Sequence, residues 1–215
     1  MWRAIAIVSV IAIFSMGCYE TPYEKETQQT IYLNPDGSLS WVVLERDIRG
    51  EPELEEELMS AFERGEHPIA RAFEALDPVA LDCTMLRRES PFVVYTNADF
   101  PALDEVFHDL YEQLGVRNRA VLESAGQVTR FHWTLWHDEP TTLSWNEDLL
   151  LLLDEDEFRI VLTEGKFVDA EGFEIVGDGT VAIPSEIHDE DEEEQTESDE
   201  VYSLTWITEE DSSTP

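Results

Sequence analysis

The sequence predicts an α+β fold, a mostly antiparallel sheet with about three helices packed on one face. Three observations lead there. Thr30 to Leu33 and Leu39 to Ile48 are rich in β-branched and aromatic residues. They flank Asn34-Pro35-Asp36-Gly37-Ser38, whose proline and glycine suit a hairpin turn. Three apolar stripes at helical spacing follow, and the second half breaks into short apolar runs separated by turn residues.

Taken in order, the hairpin places Ile31 and Leu33 on one face, with Leu39, Trp41 and Val43 on the matching face of the second strand. Pro52 suits the first turn of a helix, and Glu53, Glu55, Glu56 and Glu57 favour its positive end. Leu54, Leu58 and Phe62 share one face of that helix, and Gly65 ends it. A second helix from Pro68 to Leu76 aligns Ile69, Ala72, Phe73 and Leu76, and Asp77-Pro78 stops it. Strands are expected over 80–88 and 92–96. The third helix is expected to be capped by Asp99, begun by Pro101 and ended by Gly115, burying Leu103, Val106, Phe107, Leu110 and Leu114.

A further hairpin is expected from Arg119–Glu123 and Val128–Trp136, with Phe131, Trp133 and Leu135 on one face. Leu149 to Leu153 form an unbroken leucine run that suits either a buried strand or a short helix; leucine's helix preference, with Asp148 at the start, favours the helix over 146–154. Short strands are read over 158–162, 166–168, 172–176 and 180–183. In "VYSLTWIT" Tyr202, Leu204 and Trp206 alternate with Val201, Ser203 and Thr205, a final strand returning to the sheet. The run before it, His188 to Glu200, is low-complexity and acidic, so residues 188–199 are expected to form an internal mobile loop. The resulting organisation is a single domain over 28–208, preceded by a tether over 18–27 and followed by a disordered tail over 209–215.

Charge excludes one class of partner. Lys and Arg number 13 and Asp and Glu 49, a net charge of −36. Only nine of those carboxylates lie between Asp189 and Glu200, so the acidity is spread over the domain. Affinity for phosphates comes from Lys and Arg patches, so nucleic acid is not expected as a partner. Anionic headgroups are repelled as well.

Catalytic motifs do not emerge. The chain has no Gly-x-Ser-x-Gly elbow, Ser-x-x-Lys pair, phosphate-binding P-loop or Gly-x-Gly-x-x-Gly. With so many acids, carboxylate pairs carry no information. His132 and His137, five apart on a strand, face opposite sides, and His67, His108 and His188 are isolated in sequence. No metal site or cofactor is assigned, although abundant oxygen ligands leave weak calcium binding open. Cys83, in "ALDCTML", reads as a small buried hydrophobe; as a catalytic cysteine it would need a histidine near it in space. Trp136 and Trp145 bracket the polar loop "HDEPTTLS" and are candidates for contacts with an apolar ligand or a partner.

The N-terminus carries a different signal. Arg3 precedes an apolar run from Ala4 to Met16 that is short of the roughly 20 residues a membrane span needs. Its length and flanks suit a secretory signal. "SMGC", Ser15 to Cys18, resembles the lipobox of bacterial lipoproteins, with Ser15 where leucine is usual. That resemblance covers residues 1–18 and implies a signal peptide over 1–17, cleavage after Gly17 and lipidation of Cys18. Two or three acyl chains on Cys18 would anchor the chain stably, each buried methylene contributing about 0.8 kcal/mol. With Cys18 acylated, Cys83 has no partner for a disulfide. Tyr19 rather than Asp after the cysteine points, within the same resemblance, to the outer membrane.

The expected protein is therefore a lipid-anchored envelope protein. Its first expected role is a non-enzymatic interaction or structural module meeting another envelope protein. The alternative is a carrier of an apolar molecule or lipid between sheet and helices, and a hydrolase comes third.

Overall fold

The computed structural model describes residues 24–136, 147–153, 158–185 and 200–208. These form an α+β fold in which the strands divide into two sheets rather than one. In chain order the elements begin with strands β1 (Glu24–Leu33) and β2 (Leu39–Arg49), then helices α1 (Pro52–Glu63) and α2 (Pro68–Glu74). Strands β3 (Ala80–Arg87) and β4 (Phe92–Phe100), helix α3 (Leu103–Gln113) and strands β5 (Arg117–Ala125) and β6 (Val128–Trp136) follow. A 3₁₀ segment (Glu147–Leu153) precedes β7 (Phe158–Leu162), β8 (Lys166–Glu171), β9 (Phe173–Val176), β10 (Val181–Pro184) and β11 (Glu200–Ile207).

The large sheet runs β3-β4-β2-β1-β7-β10-β9, and the small one β5-β6-β11-β8. Every neighbouring pair is antiparallel except β1 with β7. The hairpin expected around residues 34–38 is present: Asn34 N–H donates to Ser38 O, and Gly37 has a φ of 90°. Strand β1 starts at Glu24, inside the stretch expected as tether, and Lys25 and Gln29 are fixed by side-chain bonds. A polar strand forms there because β2 supplies its ladder partners, a cause outside local sequence.

Both proline-initiated helices form as expected. The third does not use the predicted cap. Asp99 stays in β4, where it accepts a hydrogen bond from Ser40 Oγ at 2.6 Å, and β4 extends to Phe100. Helix α3 starts at Leu103, whose N–H donates to Gly37 O at 2.9 Å. The hairpin turn thus satisfies an N-terminal donor that a side-chain cap would have served. The leucine run is a 3₁₀ helix with Leu149 and Leu152 buried.

Helices and sheets share one main core. Trp41 of β2 meets Phe73 of α2, Phe107 of α3 and Phe158 of β7, with ring centroids 5.6–6.2 Å apart. Phe107 in turn meets Phe131 and Trp133 of the small sheet. Buried Gln29 orders this region: it accepts from Trp41 Nε1 at 3.1 Å and donates to Leu151 O at 3.2 Å. A smaller cluster of Ile48, Leu58, Met85, Phe92 and Val94 lies under α1. It depends on a bulge in β2, where Asp47 takes a φ of 51° and the pairing skips from Glu45↔Val94 to Ile48↔Phe92. The skip turns Ile48 inward, where uninterrupted alternation after Glu45 would point it out. No helix among the described residues is long and apolar enough to cross a membrane.

Candidate functional site

Two features stand out from the packing. The first is a polar seam on the helix-covered face of the large sheet, at the border of the main core and the smaller cluster. It crosses four neighbouring strands. Lys25 of β1 donates to Glu45 Oε1 of β2 at 2.6 Å. Glu45 Oε2 lies 3.2 Å from Nε2 of His67, the extended residue immediately before α2. Off the line of a well-formed hydrogen bond, that contact is chiefly electrostatic. The side chains of Glu45 and His67 are only 5% and 4% exposed.

Cys83 of β3 lies on the same face of the sheet as Glu45. It interacts with the imidazole, and the Thr96 hydroxyl donates to its sulfur at 3.3 Å. Register places it there: Cys83 pairs with Thr96 and Met85 with Val94, while Val94 pairs with Glu45, so these residues share one face. Phe62 closes the seam, its ring edge-on to His67 at 6.3 Å and packed in the same cluster as Cys83.

The electrostatics follow from this geometry. Burial pushes the Glu45 carboxyl up, but its contact with His67 and the Lys25 ammonium together hold it at about 2. Burial pushes His67 down, and its contacts with Cys83 and Glu45 outweigh that, raising it to about 9. At neutral pH the ring is an imidazolium with two N–H donors. Glu45 faces one, and the other, on Nδ1, is buried without a formed hydrogen bond to any described residue.

The second feature is the outward face of the small sheet. Alternation along β6 buries Thr129, Phe131, Trp133 and Leu135 and turns Val128, Arg130, His132, Thr134 and Trp136 outward. Their register partners Arg117, Arg119, Val121 and Glu123 of β5 share that face. The Arg117 guanidinium stacks over the Trp136 ring at 4.8 Å. Across β11, strand β8 adds Lys166, Asp169, Glu171 and Val168, which is 52% exposed. Lys25, Arg46, Arg49, Arg64 and Arg71 are ion-paired on or near the large sheet; Arg119, Arg130 and Lys166 make no ion pair with a described residue, as is also true of Arg87, Arg88 and Arg159.

Of the residues singled out from sequence, Trp136 is therefore on an exposed sheet face beside Arg117. Trp133 points the opposite way into the core. Cys18, Gly17, Trp145 and the acidic loop 188–199 lie outside the described residues. His67 is not isolated in space: it lies 3.2 Å from buried Glu45. The only sequence signals for this seam were a polar residue, Glu45, at an inward position of β2 and a cysteine on a strand. Among the described residues, exposed His108, Asp109 and Glu112 bring one ligand atom each within 4.8 Å of one another. His108 Nδ1 is engaged by Asn118 at 3.1 Å.

The fold and these surfaces define a class only: a two-sheet α+β protein with a buried ionic seam and an arginine-tryptophan face. No protein-family model matches the chain, and no curated protein matches it. Among solved structures, it is similar to the folded domain of LppM from Mycobacterium tuberculosis, determined by NMR. The two are 10% identical; the match covers 87% of this chain and 91% of that one, with a TM-score of 0.37. A TM-score of that size carries no inference about function.

Proposed function

We propose that the chain is a lipid-anchored envelope protein whose domain is a non-enzymatic interaction module. The lipobox-like "SMGC" supports the anchor at Cys18. The observation that carries the module reading is the Arg117–Trp136 stack on the outward face of the small sheet. Arginine and tryptophan are enriched where proteins dock, and the same outward face carries exposed Val128 and Val168 toward the other end of β6. Against a net charge of −36, it sets Arg117, Arg119, Arg130 and Lys166 beside three carboxylates, Glu123, Asp169 and Glu171. The repulsion that keeps other proteins away is relieved here. The fitting partner is an envelope protein with acidic side chains around an apolar patch.

Site-specific photo-crosslinking in cells tests this. A photoreactive residue at Val128 or Val168 should yield a discrete adduct that Arg117→Glu with Arg119→Glu abolishes. The same adduct from Leu86, exposed on the large sheet, would remove the basis for the reading. The anchor is tested separately by labelling with a palmitate analogue, and undiminished label after Cys18→Ser would exclude it.

One observation favours a second reading, the carrier of an apolar molecule. Trp133 Nε1 is buried without a hydrogen-bond acceptor among the described residues, and its ring meets those of Tyr111 and Tyr202 at centroid distances of 4.6 and 4.9 Å. A lipid with a carbonyl or hydroxyl would satisfy it. Native mass spectrometry of the purified protein distinguishes the two, since a carrier retains a stoichiometric lipid that Trp133→Phe releases.

A further inference from the structure

We infer that the corner of the large sheet where β1 begins is a second membrane contact, set against the anionic headgroups of the bilayer that holds Cys18. The inference rests on the proposed anchor at Cys18 and is independent of the docking face.

Chain length brings this corner to the membrane. Glu24 is six residues beyond Cys18, so the start of β1 lies at most about 22 Å from the point of attachment. Strand β1 then runs ten residues, about 30 Å, toward the turn at 34–38. That turn meets the small sheet, where Trp206 Nε1 donates to Pro35 O at 3.2 Å. The anchor therefore draws one end of the large sheet to the bilayer and leaves the small sheet at the far end. Antiparallel register gathers at the near end the last residues of β2 and β3 and the first of β4.

The side chains gathered there fit a lipid surface. In β3 the pairing skips from Met85↔Val94 to Arg87↔Val93, and this bulge turns Leu86 out to 60% exposure. Arg46, Arg49, Arg87 and Arg88, four of the chain's 13 basic residues, lie at the same end. Arg46 and Arg49 face Glu26 and Asp47 at 3.6 Å, and Arg87 and Arg88 make no ion pair with a described residue. The exposed carboxylates on these strand ends and on the β3–β4 turn are Glu24, Glu26, Asp47 and Glu89. Charge thus balances at this corner of a chain that carries −36. Helix α1, with its glutamates, packs on the opposite face over Ile48 and Val94. Leucine here enters the headgroup layer while the arginines reach lipid phosphates. The far end of the same strand has the opposite character. Val79 is 74% exposed there, but Asp77, Asp82 and Asp99 surround it.

Photo-crosslinking to lipid is the test. The acylated protein is reconstituted into vesicles of phosphatidylglycerol and phosphatidylethanolamine, with a photoreactive residue in place of Leu86, Val79 or Val168. Mass spectrometry reads the lipid adducts. The Leu86 position should label at least about fivefold more than the other two. Arg87→Gln with Arg88→Gln should lower that yield at least about fivefold, the factor one arginine contributes near an anionic bilayer. Vesicles of phosphatidylcholine alone should lower it likewise. Circular dichroism establishes that each variant is folded. Equal yields at the three positions overturn the inference. So does a Leu86 yield that ignores both the double substitution and the loss of anionic lipid. An acylated chain with either result loses this surface alone, whereas a chain that takes up no palmitate analogue loses the surface together with the anchor.

Discussion

His67 Nε2 and Glu45 Oε2 lie 3.2 Å apart with both side chains almost wholly buried, and Lys25 holds the other Glu45 oxygen. Two cations thus share one buried carboxylate at the border of two apolar clusters. Burying charges gains little in itself, because the desolvation cost is comparable to the attraction. Removing one partner is a different matter.

Glu45→Ala should therefore be strongly destabilising. It leaves the imidazolium and the Lys25 ammonium without their shared counter-charge, at a cost of about 3–5 kcal/mol. Urea unfolding followed by tryptophan fluorescence measures it. A loss below about 1 kcal/mol, the scale of a surface pair, would show that the seam is hydrated.

Stability should depend on pH in two windows of opposite sign. Glu45 titrates at about 2 when folded against 4.5 for a free carboxyl, so its contribution is present above 4.5 and lost as pH falls toward 2. His67 titrates at about 9 against 6.5, so its contribution is full below 6.5 and lost as pH rises through 9. Subtracting the unfolding free energies of Glu45→Gln from wild type isolates the pair. The difference should be largest between 4.5 and 6.5 and fall on both sides. A difference independent of pH would rule the coupling out.

Trp133 and Trp136, three apart on one strand, should respond oppositely to truncation. Trp133→Ala empties part of the core and should cost about 3–5 kcal/mol. Trp136→Ala loses the stack under Arg117 and should cost about 0.5–1 kcal/mol. Thermal melts of both variants read the contrast, and similar losses would contradict the assignment of faces.

Two glycines offer a matched pair. Gly126 has a φ of 66° with nothing within 4 Å of an added Cβ, so Gly126→Ala should cost about 1 kcal/mol. Gly165 has a φ of 95°, and its Cβ would come within 2.1 Å of Ile207 O, a backbone atom of β11. Gly165→Ala should cost about 2–3 kcal/mol or more, since strain and displacement of β11 add. Equal midpoints in chemical denaturation would exclude that close approach.

Salt should stabilise the protein. A net charge of −36 places many carboxylates near one another, and added ions screen that self-repulsion. The melting temperature is expected to rise from low to molar salt, and a flat profile would discount surface repulsion as a factor.

Much of the fold was legible locally. Pro52 and Pro68 open helices whose stripes face the core, the turn at residues 34–38 closes its hairpin, and β6 spans the residues its alternation indicated. What failed did so where the partner was remote. Asp99 has the chemistry of a cap, but Ser40 on the neighbouring strand claims its carboxylate. Glu24 to Gln29 look like a polar tether until β2 lies beside them. Trp136 could be marked as outward-facing from periodicity, but the arginine over it comes from β5.

The sequence by itself determined the fold class, most of the individual strands and helices, the acidity of the surface and the lipobox-like start. Those depend on residue type and on neighbours a few positions away. Tertiary structure alone decided that the strands form two sheets, that Arg119, Arg130 and Lys166 share a face, and that Lys25, Glu45, His67 and Cys83 meet. The physical reason is sequence separation: β1 to β4 each contribute one or two side chains to the seam, and His67 comes from the residue just before α2. No periodicity within a single element encodes a contact whose partners lie on four others.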